Sequence, residues 1–129
     1  MKKINIRIFA MAIVSLTILF LLQTNIMAAS FSATSTNTTV EVGDTITITV
    51  TASNAAGMYV VTSSNSNVSL VSGSSEEFLE NGSATLTYKA QTAGTVTITA
   101  SASDMTDLDD STKTVTGTQS FNITIKEKA

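Results

Sequence analysis

Between residues 45 and 52 every second side chain is apolar. Ile46, Ile48, Val50 and Ala52 share one parity, and Thr45, Thr47, Thr49 and Thr51 share the other. Successive side chains of an extended strand point to opposite faces, so this is a strand with one face buried and one in water. A helix, turning about 100° per residue, would scatter these apolar groups around its surface. The alternation returns at 83–90 with Ala84, Leu86 and Tyr88 inward, and at 95–103 with Val96, Ile98, Ala100 and Ala102 inward. It returns again at 118–126 with Phe121, Ile123 and Ile125 inward. Shorter apolar stretches at 31–35, 39–42, 58–62 and 68–71 complete a set of seven or eight strands.

Turn chemistry falls between these stretches: Gly43 and Asp44, residues 54–57, residues 72–75, Asn81 with Gly82, and Ala93 with Gly94. Glycine supplies backbone angles that other residues resist, and Asn and Asp stabilise turns through their side chains. Short strands at this spacing predict two packed antiparallel sheets: an all-β, immunoglobulin-like sandwich over residues 30–129. That segment holds 21 Thr and 16 Ser, a content also found in disordered glycosylated stalks. The whole chain lacks proline, however, and its threonines alternate with apolar residues, so they read as the wet faces of strands.

Residues 1–29 follow a different rule. Lys2, Lys3 and Arg7 precede an apolar run over 8–22, and small residues Ala28, Ala29 and Ser30 follow it. That is the order of a secretory signal peptide, expected as a helix that is removed on export. The run falls short of the roughly 20 apolar residues that span a bilayer. Without a cysteine at the cleavage site, a lipid-modified start is excluded. The exported portion is expected outside the cell or at the cell envelope, free of the membrane after cleavage.

Export also removes every arginine. Four lysines then face ten acids, a net charge of −6, with no histidine. Such a surface repels phosphate backbones and anionic lipid, so nucleic acid is not an expected partner. The absence of cysteine means that folding must rest on the apolar core alone, which about 100 residues can supply.

Two stretches carry a resemblance. Glu41-Val42-Gly43-Asp44-Thr45-Ile46-Thr47-Ile48-Thr49-Val50 and, about forty residues later, Ala93-Gly94-Thr95-Val96-Thr97-Ile98-Thr99-Ala100 resemble the bacterial Ig-like (Big-type) modules of Gram-positive surface proteins. The likeness spans nearly all of residues 30–129. It implies a sandwich used as a spacer, an adhesive or a glycan-proximal module.

Catalysis is not expected. Without His or Cys the familiar activated nucleophiles are missing, and the lysines sit in no recognisable serine–lysine arrangement. The densest polar group is the run 104–110, where Asp104, Asp107, Asp109 and Asp110 could offer oxygen ligands to calcium from a loop. The run lacks the central glycine and terminal glutamate of the twelve-residue calcium loop, and a solvated acidic loop is the plainer reading. Tyr59 is a candidate exposed ring for a sugar or protein ligand; Tyr88 shares the parity of Leu86 and is expected inside. Phe78, set among Glu76, Glu77 and Glu80, is expected to plug one end of the core. Thr47 and Thr49 are expected beside Thr85 and Thr87 on an outer face, an array of the kind that binds ice, although sheet twist works against that use.

These features point to a non-catalytic surface module with a structural or adhesive role, engaging an extracellular protein or an envelope glycan. Two other readings stay open: a carbohydrate-binding module assisted by calcium, and a fibre subunit that assembles by strand exchange through residues 30–39. The sequence sets no oligomeric state.

Overall fold

A computed structural model describes residues 28–129. The expected signal peptide, apart from its last residues Ala28 and Ala29, lies outside the described residues. Among those described, every element is a strand: β1 (Ser30–Ser35), β2 (Thr39–Glu41), β3 (Thr45–Ser63), β4 (Val68–Ser72), β5 (Glu76–Ala90), β6 (Gly94–Asp107) and β7 (Thr118–Lys126).

The first half of β3 pairs antiparallel with β1 on one side and with the second half of β5 on the other, and β4 adds to β5. The second half of β3 pairs with the start of β5 and with β6; β7 follows β6, and β2 joins β7 in parallel. The result is two layers, β1–β3–β5–β4 and β2–β7–β6–β3, in the strand order of an immunoglobulin-like sandwich. They form one hydrogen-bonded sheet because β3 and β5 run through both.

Inward positions follow the alternation predicted from sequence. Ile46, Ile48, Val50, Leu86, Ile98 and Ala100 are fully buried, and Tyr88, Val96, Ile123 and Ile125 nearly so. Burying each large aliphatic side chain contributes roughly 1.5–3 kcal/mol. No buried side-chain nitrogen or oxygen among the described residues lacks a partner, so the core carries no polar penalty.

Two expected turns are strand instead. Residues 54–57 do not interrupt β3, and Asn81–Gly82 does not end a hairpin in β5. The register runs from Ala52↔Gly82 to Ala56↔Glu80, so residues 53–55 of β3 face Asn81 alone. This bulge bends the ribbon from one layer into the other. Both asparagines there adopt left-handed backbone, Asn54 at φ 52° and Asn81 at φ 41°. Asn is one of the few side chains that tolerates this. The Asn54 amide donates to Asn81 Oδ1 at 2.8 Å, locking the two left-handed residues together. The turn residues do take non-ideal backbone angles, but paired residues on either side hold them inside the ladder, so neither stretch is a turn.

Candidate functional site

The outer faces of both layers are clad in hydroxyls. On the first layer, Thr34, Thr49 and Thr85 form one cross-strand row and Ser32, Thr51 and Ser83 the next, with Thr47 beside Thr87. Thr51 Oγ1 lies 2.9 Å from Ser83 Oγ. The expected juxtaposition of Thr47 and Thr49 with Thr87 and Thr85 is therefore present. The second layer repeats the theme: Thr99 Oγ1 is 3.1 Å from Ser120 Oγ, and Thr97 Oγ1 donates to Asn122 Oδ1 at 3.0 Å. Hydroxyls on both faces mark a general solution to solubility in a chain poor in charge.

Leu70, Val71, Phe78 and Leu108 depart from this cladding among the described residues, Phe78 the most. Residues 76–80 form the start of β5 and an edge of the second layer, and Phe78 is 59% exposed. The expectation that Phe78 plugs the core is corrected: Leu79 packs against the core instead, and strand parity turns Phe78 outward. Phe78 stands opposite Met58, which stands opposite Asp104; Glu76 is opposite Val60, and Glu80 is opposite Ala56. The outer face here is thus a short apolar strip of Phe78, Met58, Val60 and Ala56 with Glu76, Glu80 and Asp104 around it. The run Glu76-x-Phe78-x-Glu80 held the signal in its period of two. Three acids in five residues hid it, because they read as loop.

The geometry of this edge follows from one bond. The Val61 amide donates to Ser75 O at 2.7 Å, so Val61 and Ser75 are a hydrogen-bonded pair. Bonded and non-bonded pairs alternate in an antiparallel ladder, which makes Val60/Glu76 and Met58/Phe78 non-bonded pairs. The main-chain amides and carbonyls of Glu76, Phe78 and Glu80 therefore face the free edge.

Tyr59, the candidate exposed ring, is corrected as well: it is 1% exposed. In β3 it shares inward parity with Ala55 and Val61. Its hydroxyl donates to Ser74 O at 2.9 Å and approaches Glu77 Oε2 at 3.5 Å, tying the core to the 73–75 crossing between layers. A ring in that position offers no face to a ligand. Burial and, next, the Glu77 carboxylate raise the Tyr59 hydroxyl above its ordinary 10.0; burial raises Tyr88 likewise. Folding favours the neutral phenols, so their contribution is complete below pH 10 and fades as pH climbs through the raised values. Ultraviolet titration of the folded protein should place both tyrosinates above 10.0, and denatured protein near 10. A folded midpoint at the denatured value would contradict these placements.

The four candidate metal ligands are dispersed. Asp104 lies on the outer face of β6, Asp107 ends that strand, and Asp109 and Asp110 occupy the loop beyond it. Residues 104–107, expected in a loop, are strand because they pair with β3. Asp107 Oδ1 accepts from the Asp109 amide at 2.8 Å, and Asp109 Oδ2 accepts from Asn54 Nδ2 at 2.7 Å. Asp110 Oδ1 accepts from the Thr112 hydroxyl at 2.6 Å and its amide at 3.1 Å. Among the described residues no three acids are grouped to hold an ion. The carboxylates brace their own loop, and through Asn54 they anchor it to the bend in β3.

Those two bonds from Thr112, the hydroxyl first, lower the Asp110 carboxyl below its ordinary 3.8. The brace is complete above pH 3.8 and is lost as pH falls through the lowered value. A carbonyl-carbon titration should give Asp110 a midpoint below 3.8, moving up toward it in Thr112→Val. An unchanged midpoint in that variant would contradict the assignment.

No protein-family model and no curated protein sequence matches this chain.

Proposed function

We propose that the exported chain is a non-catalytic immunoglobulin-like module, secreted or held at the cell envelope, with a structural or adhesive role in binding an extracellular partner. The observation that carries this reading is Phe78, the most exposed large apolar side chain among the described residues, on a regular sheet edge flanked by acids. Isolated exposed apolar residues are ordinary, but here Met58, Val60 and Ala56 extend Phe78 into a strip on a sheet edge. Aromatic residues at such positions dominate the energetics of protein interfaces.

The test is retention of fluorescent exported protein on intact cells of the producer. Binding that disappears after protease shaving, and falls at least about tenfold in Phe78→Ser, is the expected result. Binding that survives shaving and disappears after polysaccharide hydrolase treatment, or under chelation, moves the assignment to a carbohydrate-binding module. No retention under any condition contradicts the reading.

A further inference from the structure

The edges of this sandwich are guarded unequally. β2 has only three residues. β1 is covered at its middle, where the Ala33 amide donates to Gln119 Oε1 of β7. β4 is five residues long and broken by a register shift between Leu70 and Ser72, which throws Val71 outward. Short length, side-chain cover and bulges all prevent strand addition. Among the described residues the edge at 76–80 has none of them: five consecutive residues in regular register with β3 present three sets of main-chain groups to which no described strand pairs. Its guard among the described residues is charge, from Glu76 and Glu80 on the face of Phe78 and Glu77 on the other.

Charge is a selective guard. A second copy paired antiparallel about Phe78 would set Glu76 against Glu80 twice, and like charges directly opposite destabilise a strand pair. An incoming segment with Lys or Arg at those two positions meets the reverse situation, with Asp104 adding to the field. The four lysines of the exported chain lie elsewhere: Lys89 on the far half of β5, Lys113 in the acidic loop, and Lys126 and Lys128 after Ile125.

Resting on the reading of this chain as a binding module, we propose that residues 76–80 take up an extended polypeptide as an added strand, with an apolar residue opposite Phe78 and a Lys or Arg two positions to either side. Main-chain bonds from Glu76, Phe78 and Glu80 hold the segment. The strip of Phe78 and Met58 receives its central side chain, and the two glutamates fix its register. The recognition element is symmetric about its centre.

A ten-residue peptide centred on Lys-Thr-Val-Thr-Lys and its Glu-Thr-Val-Thr-Glu counterpart provide the test, titrated into the exported protein and followed by amide shifts. The lysine peptide is expected to perturb Glu76, Phe78 and Glu80 and to bind at least about tenfold more tightly than the glutamate peptide, the gap narrowing with salt. Glu76→Lys/Glu80→Lys, two exposed outward substitutions, should reverse the preference while leaving the core shifts of Ile48 and Ile98 unchanged. Methylating the amide nitrogen of the central valine should abolish binding. Equal affinity for both peptides, shifts away from this edge, or indifference to N-methylation overturns the proposal. Loss of the peptide interaction alongside continued Phe78-dependent retention on cells overturns this proposal while leaving the binding-module reading in place.

Discussion

Gly57→Ala is expected to destabilise the sandwich by about 3–5 kcal/mol and to lower its melting midpoint by at least ~12 °C. A β-carbon at Gly57 would sit 1.9 Å from Asp104 O and 2.4 Å from Met105 Cα. Both are main-chain atoms, so no side chain can swing aside. The crowding has a local cause: the register of β3 with β6 passes from Met58↔Asp104 to Tyr59↔Ala102, leaving Ser103 as an extra residue. That bulge presses the Asp104 carbonyl toward β3, and only glycine leaves room. Gly43→Ala is the control. Its backbone is also left-handed, at φ 97°, but a β-carbon there meets nothing within 4 Å. It should cost only about 1–2 kcal/mol, the backbone penalty alone. Equal losses from the two substitutions, read by thermal melts, would contradict the steric account.

The second large effect is at Tyr59. Truncation to alanine removes the largest fully buried side chain and should cost about 3–5 kcal/mol. Tyr59→Phe keeps the ring and loses the bond to Ser74 O and the longer one to Glu77 Oε2, both on exposed residues where water can replace the phenol. About 1 kcal/mol is expected. Chemical denaturation of the pair separates packing from hydrogen bonding. A phenylalanine variant as unstable as the alanine one would mean that the hydroxyl, rather than the ring, holds the layers together.

These two positions also show which parts of the structure could be read from the residues. Ile46, Ile48, Leu86 and Ile98 were assigned inward by parity alone, and they are buried, because a one-residue slip would expose a whole strand face. Parity failed where four apolar residues follow one another. In Met58-Tyr59-Val60-Val61 the inward set is fixed by the bulges before and after Gly57, and a bulge depends on the partner strand. Parity there was accordingly open, leaving Tyr59 a candidate exposed ring although it is buried, while Phe78, expected inside, is exposed. The acidic run was read as one loop, although the pairing of Asp104 and Asp107 with β3 divides it. Carboxylates show their chemistry in a sequence but not the direction in which they point.

The same bulges explain why the stretches at 45–52 and 58–62, read as separate strands, are one strand, β3. Asn54 and Asn81 carry turn signals that are real at the level of backbone angle, yet their mutual hydrogen bond and the ladder on both sides keep the ribbon continuous. The continuity creates the free edge, since residues 76–80 become strand only by pairing with the far half of β3.

The most direct measurement is therefore a set of cross-strand proton contacts in residues 30–129. Non-bonded pairs bring α-protons close, and the structure predicts strong Hα–Hα contacts between Met58 and Phe78 and between Val60 and Glu76, in a β3 that also pairs through Thr49 with Thr85. Absence of both contacts, with loop-like shifts over 54–57 and 76–80, would show that β3 and β5 do not bridge the layers and that the edge bearing Phe78 does not exist.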